Sequence, residues 1–198
     1  MNKKPKKGEY LKILLRSPKT IFSIKDASLL WKEENNDLIK KRLSKYVKTQ
    51  ELVHIRRGLY AKDNNYSRLE LATRINTPSY VSFETVLVKE GIVFQNYGNI
   101  FVASYLNREM EVDGQKITFI RIKDYVLSET TGIEHKDGYA TATKERAFLD
   151  RIYVSKNYHF DNLGSMDWDK INKILPIYNN KKMEKRVKKY FINFNKTK

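Results

Sequence analysis

The feature that most constrains the fold is a two-sided segment over residues 37–49, "DLIKKRLSKYVKT". At about 100° per residue, its apolar side chains gather on one side of a helix and most of its cations on the other. The apolar side holds Ile39, Leu43, Tyr46 and Val47, whereas the opposite side holds Asp37, Lys41, Ser44, Lys45 and Lys48, with Lys40 and Arg42 on the flanks. Asn36 is a suitable N-cap. The segment predicts a helix that packs on a core and presents a cationic, hydrogen-bonding surface.

The segments before this helix predict two further helices and a strand. "GEYLKILLR" (8–16) predicts a first helix, and "TIFS" (20–23) predicts a short strand. Ser23 and Asp26 form a capping-box pattern at the start of a second helix. A polar turn, "KEENN" (32–36), separates the second helix from the third. Its carboxylates are interpreted either as a brake on non-specific binding or as a solvated turn.

Two short extended runs follow the third helix and predict a hairpin. "ELVHI" and "GLYAK" are joined through Arg56 and Arg57. Helix, strand, helix, turn, helix and hairpin is the order of a winged helix-turn-helix, in which the third helix enters the major groove of DNA. We expect the arginines to form the tip of the wing, on phosphates or in the minor groove. Without that order, they would be interpreted as an ordinary solvated turn.

The distribution of charge supports contact with a polyanion. Residues 1–62 carry 17 Lys and Arg against 6 Asp and Glu, and residues 181–198 carry 8 against 1. The intervening residues 63–180 carry 14 against 16, so they are nearly neutral. A basic bias of the whole genome would make all three regions basic, but the middle region is nearly neutral. Excess cations at both ends therefore favour binding to nucleic acid.

The rest of the chain predicts a second domain that contains both helices and strands. Ser67, which forms a capping-box pattern with Glu70, is one N-cap signal, and Thr143 is another. Ser82 is interpreted as a third. Extended runs are predicted over 99–104, 108–122 and 125–128, with a turn at Asp113-Gly114, and two helices over 167–175 and 177–194. The predicted class is α+β: a winged helix-turn-helix over 1–62, then a mixed α/β domain over 63–198 with a small antiparallel sheet and C-terminal helices.

The residues give no catalytic or metal-binding pattern, so we expect neither an enzyme nor a cofactor. His54, His135 and His159 lack metal-ligand spacing, and there is no cysteine to supply a thiolate. Glu145 and Asp150 could suggest a nuclease pair, but five residues apart on a helix they point in different directions. We interpret them as structural charges. The chain shows neither a signal-peptide pattern nor a membrane-length apolar run, so we expect a cytoplasmic protein with no membrane contact.

Three pieces of the sequence resemble one family. They are "RRGLYAK" (56–62), "SYVSFETVLVKEGIV" (79–93) and "ATATKERAFLDRIY" (140–153). Together they resemble the AbiEi-type antitoxins and transcriptional regulators of abortive-infection toxin–antitoxin systems. The resemblance implies a bacterial, nucleoid-associated repressor that binds inverted repeats in the promoter of its own operon. It also implies that the C-terminal domain counteracts a cognate toxin with a nucleotidyltransferase fold, with which it need not form a stable complex.

The winged-helix interpretation and this resemblance together assign the DNA-binding residues. Those expected to face the groove are Asn35, Asn36, Lys41, Ser44 and Lys45, and those expected on phosphate are Lys40, Lys48, Arg56 and Arg57. Asn can read adenine and Lys can read guanine in the major groove. Near the N-terminus, the residues that form either an additional phosphate-binding arm or a short tail are Lys3, Lys4, Lys6 and Lys7.

The last predicted helix is amphipathic and very basic. It is interpreted either as a helix docked through its apolar side or as a second nucleic-acid surface. The cations of that surface are Lys181, Lys182, Lys185, Arg186, Lys188 and Lys189. Two other functions stay open for the whole chain: a nucleic-acid-processing enzyme targeted by a winged helix, and a basic protein-interaction module.

Overall fold

The computed structural model describes residues 5–6, 8–95 and 98–196, and the statements below refer to these residues. The chain divides into one unit over residues 1–74 and a second over 75–198. Both units combine helices with a sheet. The predicted α+β class is therefore confirmed.

The first unit is built from helices packed beside a three-stranded antiparallel sheet with β3 at its centre. Its elements are α1 (Glu9–Arg16), β1 (Ile21–Ser23), α2 (Ile24–Trp31), α3 (Asn36–Lys48), β2 (Val53–Arg56), β3 (Leu59–Ala61) and α4 (Arg68–Ile75), whose last residue already belongs to the second unit. β1 pairs with β3 through Ile21 opposite Ala61, and the pairing of β2 with β3 shifts register between His54 and Arg56. The order of elements up to β3 is the one that the sequence predicts.

The core of the first unit fixes the orientation of α3. Its buried side chains are Leu14, Phe22, Ala27, Trp31, Ile39, Leu43, Leu52 and Tyr60. Tyr46 and Val47 pack against this cluster, so the predicted apolar side of α3 is confirmed. The indole Nε1 of Trp31 donates to the carbonyl of Tyr10 at 2.9 Å, which satisfies the polar atom of the largest buried ring.

A buried charge network ties α4 to the first unit. The Glu70 carboxylate accepts from the backbone N–H of Thr20 at 2.8 Å and from Nε of Arg74 at 2.9 Å. Arg74 also donates to Asp26 at 2.6 Å. Ser67 caps Glu70 N–H as predicted, but the Glu70 side chain bonds across the unit. The first unit therefore extends to Arg74, twelve residues beyond the predicted domain boundary at residue 62.

The second unit contains a six-stranded mixed sheet, which is larger than the small antiparallel sheet that we expected. The strand order is β6-β7-β5-β4-β9-β8, and the β5–β7 and β4–β9 pairs are parallel. The strands are β4 (Ser79–Val81), β5 (Ile100–Ser104), β6 (Arg108–Val112), β7 (Gln115–Arg121), β8 (Ile133–Lys136) and β9 (Tyr139–Ala142). The predicted Asp113-Gly114 turn joins β6 to β7, with φ of 48° and 73° at its two residues.

Helices complete the second unit. They are α5 (Glu84–Lys89), α6 (Asp124–Leu127), α7 (Lys144–Val154), α8 (Trp168–Ile174), a 3₁₀ turn (Leu175–Tyr178) and α9 (Lys181–Lys196). Thr143 caps α7 as predicted, because its hydroxyl accepts from Arg146 N–H. The expected single helix over 177–194 is replaced by the 3₁₀ turn and α9, since Asn179 adopts φ of 43° and interrupts the helical path.

Three local predictions are wrong. Residues 125–128 lie in and just after α6, where Val126 and Leu127 are buried as helical rather than extended residues. Ser82 does not cap α5, because its hydroxyl donates to Asp150 at 2.7 Å and Phe83 takes the N-cap position. Asn36 is the first residue of α3, and Asn35 is its N-cap.

Candidate nucleic-acid interface

The outward side of α3 is a row of exposed polar side chains. Lys41, Ser44, Lys45 and Lys48 are all exposed, whereas Ile39 and Leu43 on the opposite side are buried. The three lysines form no ion pair within the described residues. Their charges are therefore available to a ligand. We call this row the α3 surface.

The N-terminal turn of α3 departs from the expected arrangement. The Asn35 side-chain oxygen accepts from the N–H groups of Asp37 and Leu38 at 3.0 and 3.2 Å, so it is occupied as a helix cap. Asn36 is exposed, but by helical position it shares its side with Leu43 and Val47 rather than with the α3 surface. Of the five residues expected to face the groove, only Lys41, Ser44 and Lys45 lie together on that surface.

Two cations beside the α3 surface are engaged within the protein. Lys40 lies 3.4 Å from the exposed carboxylate of Asp37. The Arg42 guanidinium lies over the Tyr10 ring at 4.0 Å and 3.6 Å from the buried carboxylate of Glu33. Glu33 also accepts from Asn35 N–H at 3.2 Å. Glu33 is buried and holds the start of α3, so it is neither a brake on non-specific binding nor part of a solvated turn. Glu34, in contrast, is exposed.

The hairpin between β2 and β3 places its two arginines differently. Arg57 is exposed and precedes Gly58, whose φ of 80° suits glycine at a tight turn. Arg56 is half-buried, follows the register shift after His54, and is engaged in a contact within the chain. Arg57 is therefore the more accessible cation of the pair.

The Asp26 network fixes the path from β1 into α2. Ser23 and Asp26 form the predicted reciprocal capping box, and Lys19 donates to Asp26 at 2.5 Å. Burial alone would raise the pKa of Asp26, but hydrogen bonds from Lys19 and Ser23 and the charge of Arg74 outweigh it and lower the pKa below 3.8. Asp26 is consequently a carboxylate at neutral pH, which holds α2 against β1 and α4.

The basic side of α9 is a second exposed cationic surface. Lys181, Lys182, Lys185, Lys188 and Lys189 are exposed, whereas Met183 and Val187 are buried, so the predicted amphipathic docking is confirmed. Arg186 differs from the lysines because it is half-buried and donates to the carbonyl of Ser155 at 3.0 Å. We call the five lysines the α9 surface.

A buried polar cluster brings together two of the sequence pieces that carry the family resemblance. Asp150 accepts from Ser82 at 2.7 Å, from Tyr178 at 2.7 Å and from Tyr80 at 3.0 Å. Arg146 donates to Asp150 and to three backbone carbonyls. Burial and the charge of Asp150 raise the pKa of both tyrosines, which therefore remain protonated donors at neutral pH.

Glu145 lies beside this cluster but takes no part in it. Its side chain is 2% exposed, and its Oε1 has no hydrogen-bond partner within the described residues. Asp150 is fully buried and its carboxylate accepts from four side chains. The two carboxylates therefore do not form a joint site for a metal ion or substrate.

The described residues contain no group of three or more His, Cys, Asp or Glu side chains placed to hold a metal ion. Over the same part of the chain, no helix has the length and apolar character needed to cross a bilayer. Lys3, Lys4 and Lys7 of the predicted arm lie outside the described residues, and Lys6 lies just before α1. No protein-family model matches the chain, and no curated protein matches it in sequence.

Proposed function

We propose that the first unit is a winged helix-turn-helix that binds double-stranded DNA, with α3 in the major groove and the β2–β3 hairpin as the wing. The connection from α2 to α3 runs from Lys32 to Asn35, a length typical of helix-turn-helix motifs. The hairpin follows α3 after a short turn and carries Arg57 at its tip. A helix of thirteen residues is about 20 Å long and fits a major groove.

One observation carries this proposal: α3 packs through Ile39 and Leu43 and directs Lys41, Lys45 and Lys48 away from the core. Exposed, uncompensated cations on one helix side repel one another and lower stability slightly, so they favour a polyanionic partner. Lys48 and Arg57 are best suited to phosphate. Base edges in the major groove offer hydrogen-bonding atoms to both Lys and Ser side chains. They are therefore the best-suited partners of Lys41, Ser44 and Lys45.

The resemblance supports a more specific proposal for the whole chain. We propose a repressor that binds inverted repeats in its own promoter and whose second unit neutralises a nucleotidyltransferase-type toxin, without a requirement for a stable complex. The supporting residues are Tyr80 and Ser82 of the "SYVS" piece and Arg146 and Asp150 of the "ERAFLD" piece, which meet in one buried cluster. In this proposal, these motif residues maintain the fold of the antitoxin unit and do not themselves contact the toxin.

The test is binding of the full chain to the duplex immediately upstream of its own gene, compared with a scrambled duplex, over a salt series. We expect tight, selective binding to the upstream duplex. Replacing both Lys41 and Lys45 by Ala should lower the affinity for that duplex about ten- to a hundred-fold. The matched control is Lys116→Ala with Lys173→Ala, which removes the same charge from exposed sites in the second unit. Equal binding to both duplexes would contradict sequence recognition.

Neutralisation is tested separately by co-expressing the chain with a nucleotidyltransferase-type toxin from the same operon. We expect growth to be restored by the wild type and equally by the Lys41→Ala, Lys45→Ala variant, because the altered residues lie outside the second unit. Growth arrest that persists in the presence of the folded wild-type chain would contradict the antitoxin proposal. DNA binding would remain as the function to study.

A further inference from the structure

Leu38 is an apolar side chain on an otherwise polar side of α3. It is 41% exposed and is not among the residues that pack on the core of the first unit. By helical position it lies in the same row as Lys41 and Lys45, three and seven residues later. The α3 surface thus carries one apolar patch at its N-terminal end.

Exposure alone does not assign a role, because single exposed leucines are common on protein surfaces. The position of Leu38 is more informative. It is the third residue of α3, and the N-terminal residues of a recognition helix are those that reach base edges in the major groove. Leu38 therefore lies where side chains determine sequence preference rather than where they bind phosphate.

The chemistry of the groove restricts what a leucine can recognise there. A leucine side chain has no hydrogen-bond donor or acceptor, so it cannot read the polar atoms of guanine, cytosine or adenine. The C5-methyl group of thymine is the apolar group that a base pair presents in the major groove. We propose that Leu38 contacts a thymine methyl group and makes the protein prefer thymine at one position in each half-site, an inference that rests on the proposed DNA binding.

The flanking residues support this assignment by fixing the backbone of Leu38. The N–H of Leu38 donates to the capping oxygen of Asn35 at 3.2 Å, which holds the first turn of the helix in place. Asp37 and Lys40 pair with each other on the neighbouring side. The Leu38 side chain is thus presented from an ordered turn and does not have to displace a polar partner to reach an apolar group.

The experiment replaces thymine by uracil, which pairs identically but lacks the methyl group. The full chain is titrated with the promoter duplex and with a set of duplexes in which each thymine in turn is replaced by deoxyuridine. We expect one position per half-site at which the change weakens binding about four-fold, the effect of losing burial of one methyl group. At that position, Leu38→Ala should bind the thymine and uracil duplexes equally, whereas Leu38→Met should retain the preference.

The control variant is Leu15→Ala, which removes another half-exposed leucine from the same unit and should retain the full uracil effect. The two possible failures are distinguishable. If unmodified promoter and scrambled duplexes bind the wild type equally, the proposed function fails. If the promoter is preferred but Leu38→Ala keeps the wild-type uracil effect at every position, or the wild type shows none, the inference about Leu38 is overturned while DNA binding stands.

Discussion

Arg146 and Asp150, one helical turn apart on α7, form an ion pair with 3.1 Å between Nε and Oδ1, and both side chains are fully buried. Three hydroxyl groups also donate to Asp150, from Tyr80, Ser82 and Tyr178. A single carboxylate therefore satisfies donors from a strand, a loop, a helix and the 3₁₀ turn. This explains why the second unit places a charged pair in its interior.

Replacing Asp150 by Ala should destabilise the second unit by about 3–5 kcal/mol, because the Arg146 charge and three hydroxyl donors would stay buried without their acceptor. Urea denaturation of the full chain measures this loss. Glu109→Ala, an exposed carboxylate on β6, should change the free energy of unfolding by less than about 0.5 kcal/mol. A similar small change for Asp150→Ala would show that the cluster does not stabilise the unit.

Replacing Arg57 by Ala should weaken DNA binding mainly through one lost phosphate contact. The slope of log affinity against log salt should fall by about one unit, with the free energy of unfolding unchanged because the side chain is exposed. Arg56→Ala should also lower stability, since Arg56 is half-buried and engaged within the chain. If the salt slope is identical for wild type and Arg57→Ala, the tip of the wing does not contact DNA phosphate.

The lowered pKa of Asp26 makes the stability of the first unit depend on acid pH. Because the folded pKa lies below 3.8, the carboxylate stabilises the fold above the unfolded pKa of about 3.9 and loses that contribution as the pH falls through the folded value. We expect the stability difference between wild type and Asp26→Asn to be constant above about pH 5 and to shrink below pH 3.8. A difference that stays constant down to pH 2 would contradict this assignment.

Replacing Glu145 by Gln should stabilise the second unit by about 1 kcal/mol, because the side chain is buried, its Oε1 has no hydrogen-bond partner within the described residues, and Gln is a neutral group of the same shape. Thermal unfolding of the two proteins compares them directly. The exposed Glu134→Gln provides a neutral reference. A loss of stability in Glu145→Gln would indicate that the carboxylate favours the N-terminal end of α7 more than its burial disfavours it.

Removing two lysines of the α9 surface tests whether it binds nucleic acid. If it does, Lys185→Ala with Lys189→Ala should lower the salt slope of binding to a long duplex by about two units. A salt slope equal to that of the wild type would show that the α9 surface does not contact nucleic acid.

The first unit was predictable up to β3 because its signals are local. Apolar spacing located α1 and α3, and the Ser23–Asp26 pattern located the start of α2. The two extended runs on either side of Arg56 and Arg57 located the β2–β3 hairpin. The role of Glu70 was not predictable in the same way. Its bond to Thr20 spans fifty residues, and the local sequence pattern indicates only a capping box.

The sheet of the second unit was only partly predictable. β4 has three residues and pairs in parallel with β9, sixty residues later in the chain, so neither length nor alternation reveals it. The β8–β9 hairpin did carry a signal, because Asp137-Gly138 repeats the Asp113-Gly114 turn pattern with φ of 49° and 86°. The predicted elements do not include this hairpin, although its turn pattern is local.

The candidate site shows the same division between local and distant signals. Helical spacing correctly separated the exposed lysines of α3 from its apolar side. It did not identify Asn35 as the cap, nor did it show that Glu33 and Tyr10 engage Arg42. Helical spacing does not single out Leu38, because an apolar residue near the start of a helix usually packs on a core.

The hydrogen bonds that hold α4 to the first unit determine where the chain can be divided without disrupting either unit. A break after residue 62 would separate Glu70 from Thr20 and Arg74 from Asp26, so a first unit transplanted with that boundary would lose both contacts. The natural point of fusion lies after Arg74, where the first unit ends. Recombination at that point would join a different first unit to the same second unit, and each unit would keep its internal hydrogen bonds.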